Sequence, residues 1–374
     1  MQQHPPTPSW NHPLFGADVP TLIRALVSSG GLPAGVWPLA GALLLSGLLR
    51  TPISWVERTR VAATLRGAPR PRAPVFIVGH WRSGTTHLFN LMSRDPRFAW
   101  AGPFQAGMPW DFLLLGRVLR PLIRHALPRH RFIDAVPVRP DSPQEDEIAL
   151  ASMQNLSYYH GIYFPRRFAL RFRQGIFLEG VAPREIARWR RRFEHYNRKC
   201  LLGHSDGTLL VKNPVYTGRV AEIRRVWPDA RFVHIHRNPY EVFESTRKFY
   251  RALLPRFALQ AFDDETVEDL ILEAYPRMVD KLYKDARKLE PGRFAELRFE
   301  DLERDPLVQL EQVYGALAIP GFAGVGRRFR EYLDSISDYR KNTHVLSDDV
   351  VARVDRHWGG LVRRWGYGRP RTQS

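Results

Sequence analysis

The stretch FIVGHWRSGTTHLFNLM, residues 76–92, decides the fold, because it passes from a buried strand through a glycine-rich turn into a helix. Before the turn, VFIV at 75–78 is a short apolar run with β-branched residues, and after it apolar side chains recur at helical spacing from Thr85. The turn places Gly79 and Gly84 five residues apart. Free backbone N–H groups at the start of a helix surround anions, so the stretch predicts a phosphate-binding loop.

The same turn lacks the lysine of an ATP-binding loop. The pattern G-x-x-x-x-G-K-[ST] requires lysine directly after the second glycine, where this chain has Thr85, and the nearest cation is Arg82. In a later run, RFVHIHRNP, the strand-like part ends in His236 and Arg237, where a Mg·ATP enzyme has an aspartate that holds Mg²⁺. We therefore predict a ligand whose anionic groups are neutralised by arginine and lysine side chains without a metal. A degenerate loop with no ligand is the alternative.

Strand-like and helical runs alternate in the second half of the chain. The strand-like runs are TLLVK (208–212), ARFVHIHR (230–237) and RFAELRFEDL (293–302), and the helical runs are 217–227, 240–254 and 305–319, the last with Asp305 placed to cap it. The alternation predicts an α/β fold with a parallel sheet flanked by helices and a ligand at the carboxyl ends of the strands. The mostly helical block at about 99–205 is then an insertion over the site.

Composition favours anionic partners. The chain has 374 residues of ordinary globular composition, and its 56 Lys and Arg against 38 Asp and Glu give a net charge of +18. No zinc-finger, RRM or KH pattern is present, so sequence-specific nucleic-acid binding is not predicted. The single cysteine, Cys200, has no partner for an intramolecular disulfide, which favours the cytoplasm.

Residues 1–73 form a predicted N-terminal arm with an uncharged stretch at 25–49. At about 1.5 Å per residue, that stretch is long enough to span a bilayer. Pro33, Pro38 and three glycines interrupt its first half, so a hydrophobic arm packed on the core is predicted. Flanking arginines make a membrane-surface anchor the main alternative, and a single membrane span is least favoured. A secretory signal is not predicted, because a basic leader region and a cleavage site are lacking.

Two motifs resemble those of a known family. VFIVGHWRSGTTHL resembles the 5′-phosphosulfate loop of sulfotransferases that use 3′-phosphoadenosine 5′-phosphosulfate (PAPS), in which a strand leads into [K/R]-S-G-T-T at the start of a helix. RFVHIHRNPYEVFESTRKF is similar to their 3′-phosphate motif, with Arg237 and Ser245 eight residues apart. FAELRFEDL, PQEDEIAL and YRKNTHVLS resemble the bacterial RSGTT-type branch. The resemblance covers roughly 74–367, the predicted sulfotransferase domain.

The resemblance implies a P-loop-type fold and transfer of a sulfuryl group from PAPS to a hydroxyl or an amine. Arg237 and Ser245 are then expected to bind the 3′-phosphate, and Lys341 and Asn342 to add a C-terminal contact to the nucleotide. The 5′-phosphate is expected to contact the start of the helix, at Arg82, Ser83, Gly84, Thr85 and Thr86.

The same resemblance gives Arg82 and Lys212 catalytic roles. Arg82 stands where many members have lysine and is expected to stabilise the leaving oxygen by charge, since arginine is a poor proton donor. Lys212, at the end of a strand, is expected to face the transferring group. Many members have a catalytic histidine shortly after this lysine, but here residues 213–216 read NPVY.

The acceptor base is therefore assigned to the acidic cluster EDE, as either Glu145 or Glu147. A spacing of two residues cannot place both carboxylates on the same helix face. Capping of a helix N-terminus is the alternative role for this cluster. His80 and His160 are further candidates, each favoured as a structural residue.

The acceptor itself is predicted to be a small molecule, a glycan or a lipid. Aromatic residues in the helical block either line an acceptor pocket or form core: Trp110, Phe112, Tyr158, Tyr159 and Tyr163. The leading hypothesis is a cytoplasmic PAPS-dependent sulfotransferase with peripheral contact to the inner face of the cell membrane. A membrane-associated protein that binds nucleotide without turnover and a Mg·ATP P-loop kinase are the alternatives.

Overall fold

A computed structural model describes residues 3–4, 6, 9–116, 142–204, 207–337 and 346–371. The chain divides into two compact units, each built from separate stretches of sequence. Unit 1 contains Met1–Pro71, Trp100–Ser205 and Arg251–Glu265, and unit 2 contains Arg72–Ala99, Asp206–Tyr250 and Thr266–Ser374.

Secondary structure alternates as expected for an α/β protein. The strands are β1 (Gln3–His4), β2 (Val75–Val78), β3 (Phe98–Ala99), β4 (Thr208–Lys212), β5 (Arg231–His236), β6 (Phe262–Asp263) and β7 (Phe294–Arg298). The described α-helices are α1 (Val19–Val27), α2 (Trp37–Gly67), α3 (Thr85–Met92), α4 (Pro103–Gly107), α5 (Asp146–Met153), α6 (Tyr159–Tyr163), α7 (Phe168–Phe177), α8 (Pro183–Cys200), α9 (Val220–Val226), α10 (Pro239–Phe257), α11 (Asp264–Ala286), α12 (Phe299–Arg304), α13 (Pro306–Ala316), α14 (Phe322–Asp334) and α15 (Asp348–Arg364).

A five-stranded parallel sheet forms the core of unit 2, in the order β3-β4-β2-β5-β7. All four residues of β2 are buried, as expected for the central strand of a sheet covered on both faces. Ile77 of β2 lies opposite Lys212 of β4 and Val233 of β5. The phosphate-loop candidate, Lys212 and Arg237 therefore all lie at or directly after the carboxyl ends of neighbouring strands. The predicted α/β fold with a parallel sheet flanked by helices is confirmed.

Two predicted elements in unit 2 have different boundaries. The helix predicted at 217–227 begins only at Val220, because a 3₁₀ helix occupies Pro214–Gly218. The strand predicted at 293–302 ends at Arg298, and helix α12 follows at once. Glu300 and Asp301 lie in the first turn of α12, where the helix dipole stabilises negative charge. That stabilisation favours helix over continued strand.

Asp305 occupies the predicted N-cap position of α13, but its side chain makes no capping hydrogen bond. Its carboxylate instead accepts a hydrogen bond from Nε of Arg304 at 2.8 Å. Pro306 is the first residue of α13, and its fixed φ starts a helix without a side-chain cap. The predicted position is correct and the predicted capping bond is wrong.

The described part of the 99–205 block is helical, as predicted, and belongs mainly to unit 1. Its longest helix, α8, covers the basic stretch at 184–199 and is amphipathic. Trp189, Phe193 and Tyr196 are fully buried, whereas Arg188 and Arg191 are exposed. The helix therefore has a buried aromatic face and a solvated basic face.

The N-terminal arm forms two α-helices with a break over 28–33, which contains Gly30, Gly31 and Pro33 as expected. Pro38 does not interrupt the arm, because it lies in the first turn of α2. Helix α2 continues well past the predicted apolar stretch, through Arg50 and Pro52. Arg50 forms an ion pair with Asp111 at 2.7 Å and donates to two backbone carbonyls. The stretch Ala34–Gly67 is long and apolar enough to cross a membrane by length and composition. Large apolar side chains on its exposed face are Trp37, Leu45, Leu48, Leu49 and Trp55.

Four of the five aromatic residues named in the insertion form part of the core of unit 1, whereas Tyr159 is half-buried. Trp110, Tyr158 and Tyr163 are almost completely buried, and Phe112 is 6% exposed. The guanidinium of Arg58 lies 3.5 Å from the centre of the Trp110 ring. These contacts favour the core alternative over an acceptor-pocket lining.

Candidate active site

The turn after β2 depends on two glycines. Gly79 has φ +148°, and a Cβ there would lie 2.4 Å from the carbonyl oxygen of Ile235. Its N–H donates to Oγ1 of Thr217 at 2.8 Å. Gly84 has φ +96°, and a Cβ there would lie 2.2 Å from the ring of Phe299. Side chains at these positions are excluded by backbone conformation and by space.

Ser83 and Gly84 lead directly into helix α3. The backbone N–H and the hydroxyl of Ser83 both donate to the carbonyl of His80, at 3.2 and 2.7 Å, which closes the turn. Gly84 is the N-cap residue and has no side chain to cap the helix, which begins with the buried Thr85 and the half-buried Thr86. Uncapped N–H groups at a helix start carry partial positive charge and bind anions. The structure therefore places the candidate anion-binding loop at the carboxyl edge of the sheet.

Arg82 joins this loop to the second motif. Its Nε donates to Oγ of Ser245 at 2.9 Å, across 163 residues of sequence. Arg82 has φ +70°, a conformation that costs energy for a residue with a side chain. Ser245 lies on α10 and is 4% exposed. The structure brings these two predicted site residues into direct contact.

Arg237 follows β5 and is 9% exposed. Its Nη2 forms an ion pair with Glu241, one helical turn further along the chain. Its guanidinium carbon lies 4.7 Å from the centre of the Phe299 ring. The Nε atom is buried without a hydrogen-bond partner among the described residues. A buried donor without a partner is costly, so this position suits an anionic acceptor such as a phosphate oxygen.

Lys212 is the last residue of β4 and is only 2% exposed. Directly after it, the side chain of Asn213 accepts from the N–H of Val215 at 3.0 Å and starts a 3₁₀ helix. Residues 213–216 are buried and contain neither imidazole nor carboxylate. The strand-end lysine is in the expected place, and the residues after it supply no acceptor base.

The two carboxylates proposed as base belong to unit 1 and have different surroundings. Glu147 is fully buried and accepts from the hydroxyl of Ser157 at 2.7 Å and from the N–H of Tyr158 at 3.3 Å. Glu145 is half-buried at the N-cap of α5, but its side chain makes no capping bond there. The cluster nevertheless stands at the N-terminus of α5, with Asp146 and Glu147 in the first turn, as the capping alternative predicted. The choice of base stays a prediction.

The two candidate histidines are held as neutral structural residues. Burial lowers the pKa of His80 to about 3 and that of His160 to about 4. His80 contacts the carbonyl of Trp81 through Nδ1 at 2.9 Å, and His160 contacts the carbonyl of Ala151 through Nε2 at 2.8 Å. A base must accept a proton near neutral pH, and burial opposes protonation in both rings.

Lys341 and Asn342 lie outside the described residues. Within the described part of the chain, no group of three or more His, Cys, Asp or Glu side chains is placed to hold a metal ion.

Three residues at the site were missed by sequence reasoning. Thr217 contacts both the N–H and the carbonyl of Gly79, and Phe299 packs where a Cβ of Gly84 would be. Neither contact is local in sequence, so no pattern indicated it. Glu241 had a usable signal, because it stands four residues after Arg237 and carries the opposite charge.

A parallel sheet whose central strand leads through a glycine-containing turn into a helix is typical of the P-loop-type fold. A sequence profile described as "Sulfotransferase family" matches residues 74–323, and the chain belongs to this family. Its activity is the transfer of a sulfuryl group to a hydroxyl acceptor, as the resemblance predicted. The matched region begins one residue before β2.

Known relatives agree with this assignment. Two proteins named omega-hydroxy-beta-dihydromenaquinone-9 sulfotransferase Stf3 are each 34% identical over 310 residues, which is 83% of this chain and 78% of the relative. They come from Mycobacterium bovis (strain ATCC BAA-935 / AF2122/97) and Mycobacterium tuberculosis (strain CDC 1551 / Oshkosh).

Two solved structures share the fold. Sulfotransferase STF9 from Mycobacterium avium superposes with a TM-score of 0.66 at 18% identity, covering 93% of this chain and 96% of that one. Sulfotransferase STF1 from Mycobacterium tuberculosis H37Rv gives a TM-score of 0.61 at 18% identity, covering 92% and 94%. These matches confirm the predicted fold.

Proposed function

We propose that this sulfotransferase uses PAPS as its donor and a hydroxyl of a lipid-like small molecule as its acceptor. The observation that carries the donor assignment is the hydrogen bond from Arg82 to Ser245, because it joins the predicted 5′-phosphate loop to the predicted 3′-phosphate motif. The acceptor class rests on the Stf3 relatives, whose name describes a hydroxylated menaquinone derivative.

In this proposal the two anionic ends of the donor meet different groups. The start of α3, with Ser83 to Thr86, holds the 5′-phosphate. Arg237 and Ser245 bind the 3′-phosphate, and the buried Nε of Arg237 supplies a donor with no other described partner. Each charge-assisted hydrogen bond contributes about 1.5–3 kcal/mol.

The chemistry transfers a sulfuryl group between two oxygens. The acceptor oxygen forms a bond to sulfur while the bond from sulfur to the bridging oxygen of PAPS breaks, and 3′-phosphoadenosine 5′-phosphate leaves. Arg82 stabilises the charge that develops on the bridging oxygen, and Lys212 stabilises the sulfuryl oxygens. Glu145 or Glu147 takes the hydroxyl proton. Glu145→Gln and Glu147→Gln test this, since the base variant should lose turnover while keeping its nucleotide affinity.

Nucleotide titration tests the donor assignment. We expect 3′-phosphoadenosine 5′-phosphate to stabilise the protein without Mg²⁺, by about 2.7 kcal/mol at 100 times its Kd, more than AMP, ADP or Mg·ATP. Arg237→Ala should weaken its binding by about 10- to 150-fold, the range that the lost hydrogen bond allows. Arg231→Ala, at the opposite end of β5, is the matched control and should leave affinity unchanged.

Other outcomes point to the other hypotheses. Stabilisation by Mg·ATP alone would contradict the assignment of PAPS as donor and would indicate a kinase that uses Mg·ATP. Binding of the 3′-phosphorylated nucleotide without sulfuryl transfer to any acceptor would indicate a nucleotide-binding protein without turnover. To test the acceptor, the protein is incubated with labelled PAPS and either a hydroxylated isoprenoid quinone or a glycan. We expect the label to be transferred only to the quinone.

We also propose that the protein works in the cytoplasm, at the inner face of the cell membrane. The exposed apolar side chains of α2 and the net charge of +18 support contact with an anionic lipid surface. Centrifugation of cell extracts into membrane and soluble fractions tests this proposal. Protein found only in the soluble fraction would contradict membrane contact.

A further inference from the structure

Unit 1 contains a cavity of about 770 Å³ that none of the predicted site residues lines. Its volume is in the usual range of small-molecule sites, about 300–1,000 Å³. Five guanidinium groups and only two carboxylates, those of Asp18 and Glu185, line it. We call it the arginine pocket, and its arginines are Arg24, Arg58, Arg171, Arg188 and Arg192.

Three of the five arginines in the arginine pocket lack a counter-charge from the described protein, and two of these three, Arg24 and Arg188, are exposed to water. Arg58 pairs with Asp18 at 2.8 Å, and Arg171 donates to Oγ of Ser28 at 2.6 Å. The side chains of the other three arginines form neither an ion pair nor a hydrogen bond with any residue in the described ranges. Burial, together with the charge of Arg58, lowers the pKa of Arg192. Like charges held together are unfavourable, and a bound anion would remove that cost.

A second feature points to a ligand in the same cavity. Gln154 lines it and is 4% exposed, yet neither its Nε2 nor its Oε1 has a hydrogen-bond partner within the described chain. Oδ1 of the neighbouring Asn155 is also buried without a described partner. Buried amides are almost always hydrogen-bonded, because an unpaired polar group loses its water without compensation. A ligand with both donor and acceptor atoms would satisfy them.

Part of the cavity lining is apolar. Ile23 and Val27 stand four residues apart on α1, so they share a helix face, and both line the cavity. Their exposed fractions are 49% and 81%. A ligand that matches the whole cavity therefore has an anionic end, a hydrogen-bonding head and an apolar part.

We propose that the arginine pocket binds the phosphate of an amphiphilic phosphate ester. The guanidinium groups bind the phosphate oxygens, the Gln154 amide bonds to the head group, and the apolar part packs on Ile23 and Val27. None of these residues belongs to the motifs assigned to PAPS, so the site is independent of the identity of the sulfuryl donor.

Titration with octyl phosphate tests the site. We expect binding that is tighter than that of inorganic phosphate and that persists when 3′-phosphoadenosine 5′-phosphate is added. The double variant Arg24→Gln/Arg188→Gln removes two charges that have no described partner, and it should bind about ten-fold more weakly or worse. Arg184→Gln/Arg191→Gln removes the same charge from exposed positions of α8 outside the cavity, and it should change affinity by less than about two-fold.

Vesicles identify the source of the phosphate ester. The protein is sedimented with phosphatidylcholine vesicles that contain phosphatidylglycerol. If the unaltered protein sediments with them and the Arg24→Gln/Arg188→Gln protein does not, the phosphate belongs to a lipid head group. Octyl phosphate binding without vesicle binding would identify a soluble ester. The proposal is overturned if neither probe binds, if both double variants weaken binding equally, or if the nucleotide displaces octyl phosphate.

Discussion

At the scale of single residues, we predict that Glu241 competes with the 3′-phosphate of the proposed donor for Arg237. The carboxylate pairs with Nη2 of Arg237 and is 37% exposed at its side chain, so it competes with a phosphate for part of the guanidinium. Glu241→Gln removes the competing charge. Exposed ion pairs contribute about 0.2–1 kcal/mol, so we expect about 1.5- to 5-fold tighter binding of 3′-phosphoadenosine 5′-phosphate by calorimetry.

Glu244→Gln provides the control for this prediction. Glu244 lies on the same helix but pairs with Arg247 and Lys248, so its loss should leave nucleotide affinity unchanged. Weaker binding by Glu241→Gln would show instead that Glu241 positions the guanidinium for its ligand.

Gly84 is a second residue whose substitution has a definite expected result. Gly84→Ala places a Cβ 2.2 Å from Phe299 at a φ of +96°, so both sterics and backbone conformation oppose it. We expect a loss of about 1–3 kcal/mol of unfolding free energy and no measurable nucleotide affinity, because the loop must move. Gly324→Ala, in helix α14 with nothing within 4 Å, should stabilise by about 0.5–1 kcal/mol. Equal stabilities of the two variants would contradict the prediction.

At the scale of elements, one buried ion pair connects helices α2 and α8. Nζ of Lys199 lies 2.5 Å from Oε1 of Glu57, and both side chains are at most 2% exposed. Burial lowers the pKa of Lys199, and the Glu57 charge opposes that shift. Glu57 also accepts from the N–H groups of Leu113 and Leu114. The carboxylate is thus the common partner of one lysine and two backbone donors.

Removal of that carboxylate should destabilise unit 1. Glu57→Gln leaves a buried lysine without its counter-charge, so we expect a loss of about 3–5 kcal/mol in urea unfolding. Glu194→Gln, which removes a partly exposed partner of Arg70 and Arg198, should cost no more than about 1 kcal/mol. Similar losses of unfolding free energy in the two variants would mean that the buried ion pair contributes no more to stability than the partly exposed one.

The elements that sequence predicted are those with local patterns. The strand, turn and helix at 75–92 follow from apolar runs and glycines next to each other in the chain. The end of β7 was predicted wrongly because FEDL continues the apparent strand, while the carboxylates at the start of α12 favour helix. A pattern of a few residues does not show whether a strand continues or a helix begins when both are compatible with the local sequence.

Contacts between distant segments were outside the reach of local patterns. The family motifs predicted Arg82 and Ser245 separately, but not the hydrogen bond between them. The arginine pocket collects side chains from α1, α2, α7 and α8, and in the sequence its arginines look like ordinary solvated charges. Long-range packing decides which basic side chains share a cavity, and a single sequence does not encode that in any spacing.

At the scale of the whole molecule, the net charge of +18 is reflected in clusters of basic side chains in both units. Unit 2 carries arginine and lysine at the carboxyl edge of its sheet, and unit 1 carries the arginine pocket. Both features fit anionic ligands, which a strongly basic chain attracts over long distances.

Acid sensitivity is a property of the whole molecule, because buried histidines occur in both units. Burial lowers the pKa of each from the ordinary value of 6.5. The pKa is about 4 for His12, His160, His195 and His236 and about 3 for His80, and that of His87 is lowered as well. Below pH 6.5 these histidines bind protons in the unfolded chain but not in the folded protein. Stability is therefore full above about pH 6.5 and falls as the pH is lowered towards 4.

Urea unfolding between pH 7 and pH 4.5 measures this loss, which should approach about 1.4 kcal/mol per pH unit for each histidine. His12 is the most informative position, because its Nδ1 accepts from the N–H of Leu14 and its Nε2 contacts the carbonyl of Phe257. His12→Asn keeps an acceptor for Leu14 and should reduce the pH slope by about one proton. His204→Gln, at an exposed position, should leave the slope unchanged. Stability that stays constant down to pH 4.5 would mean that water or carboxylates reach these rings and let them protonate in the folded protein.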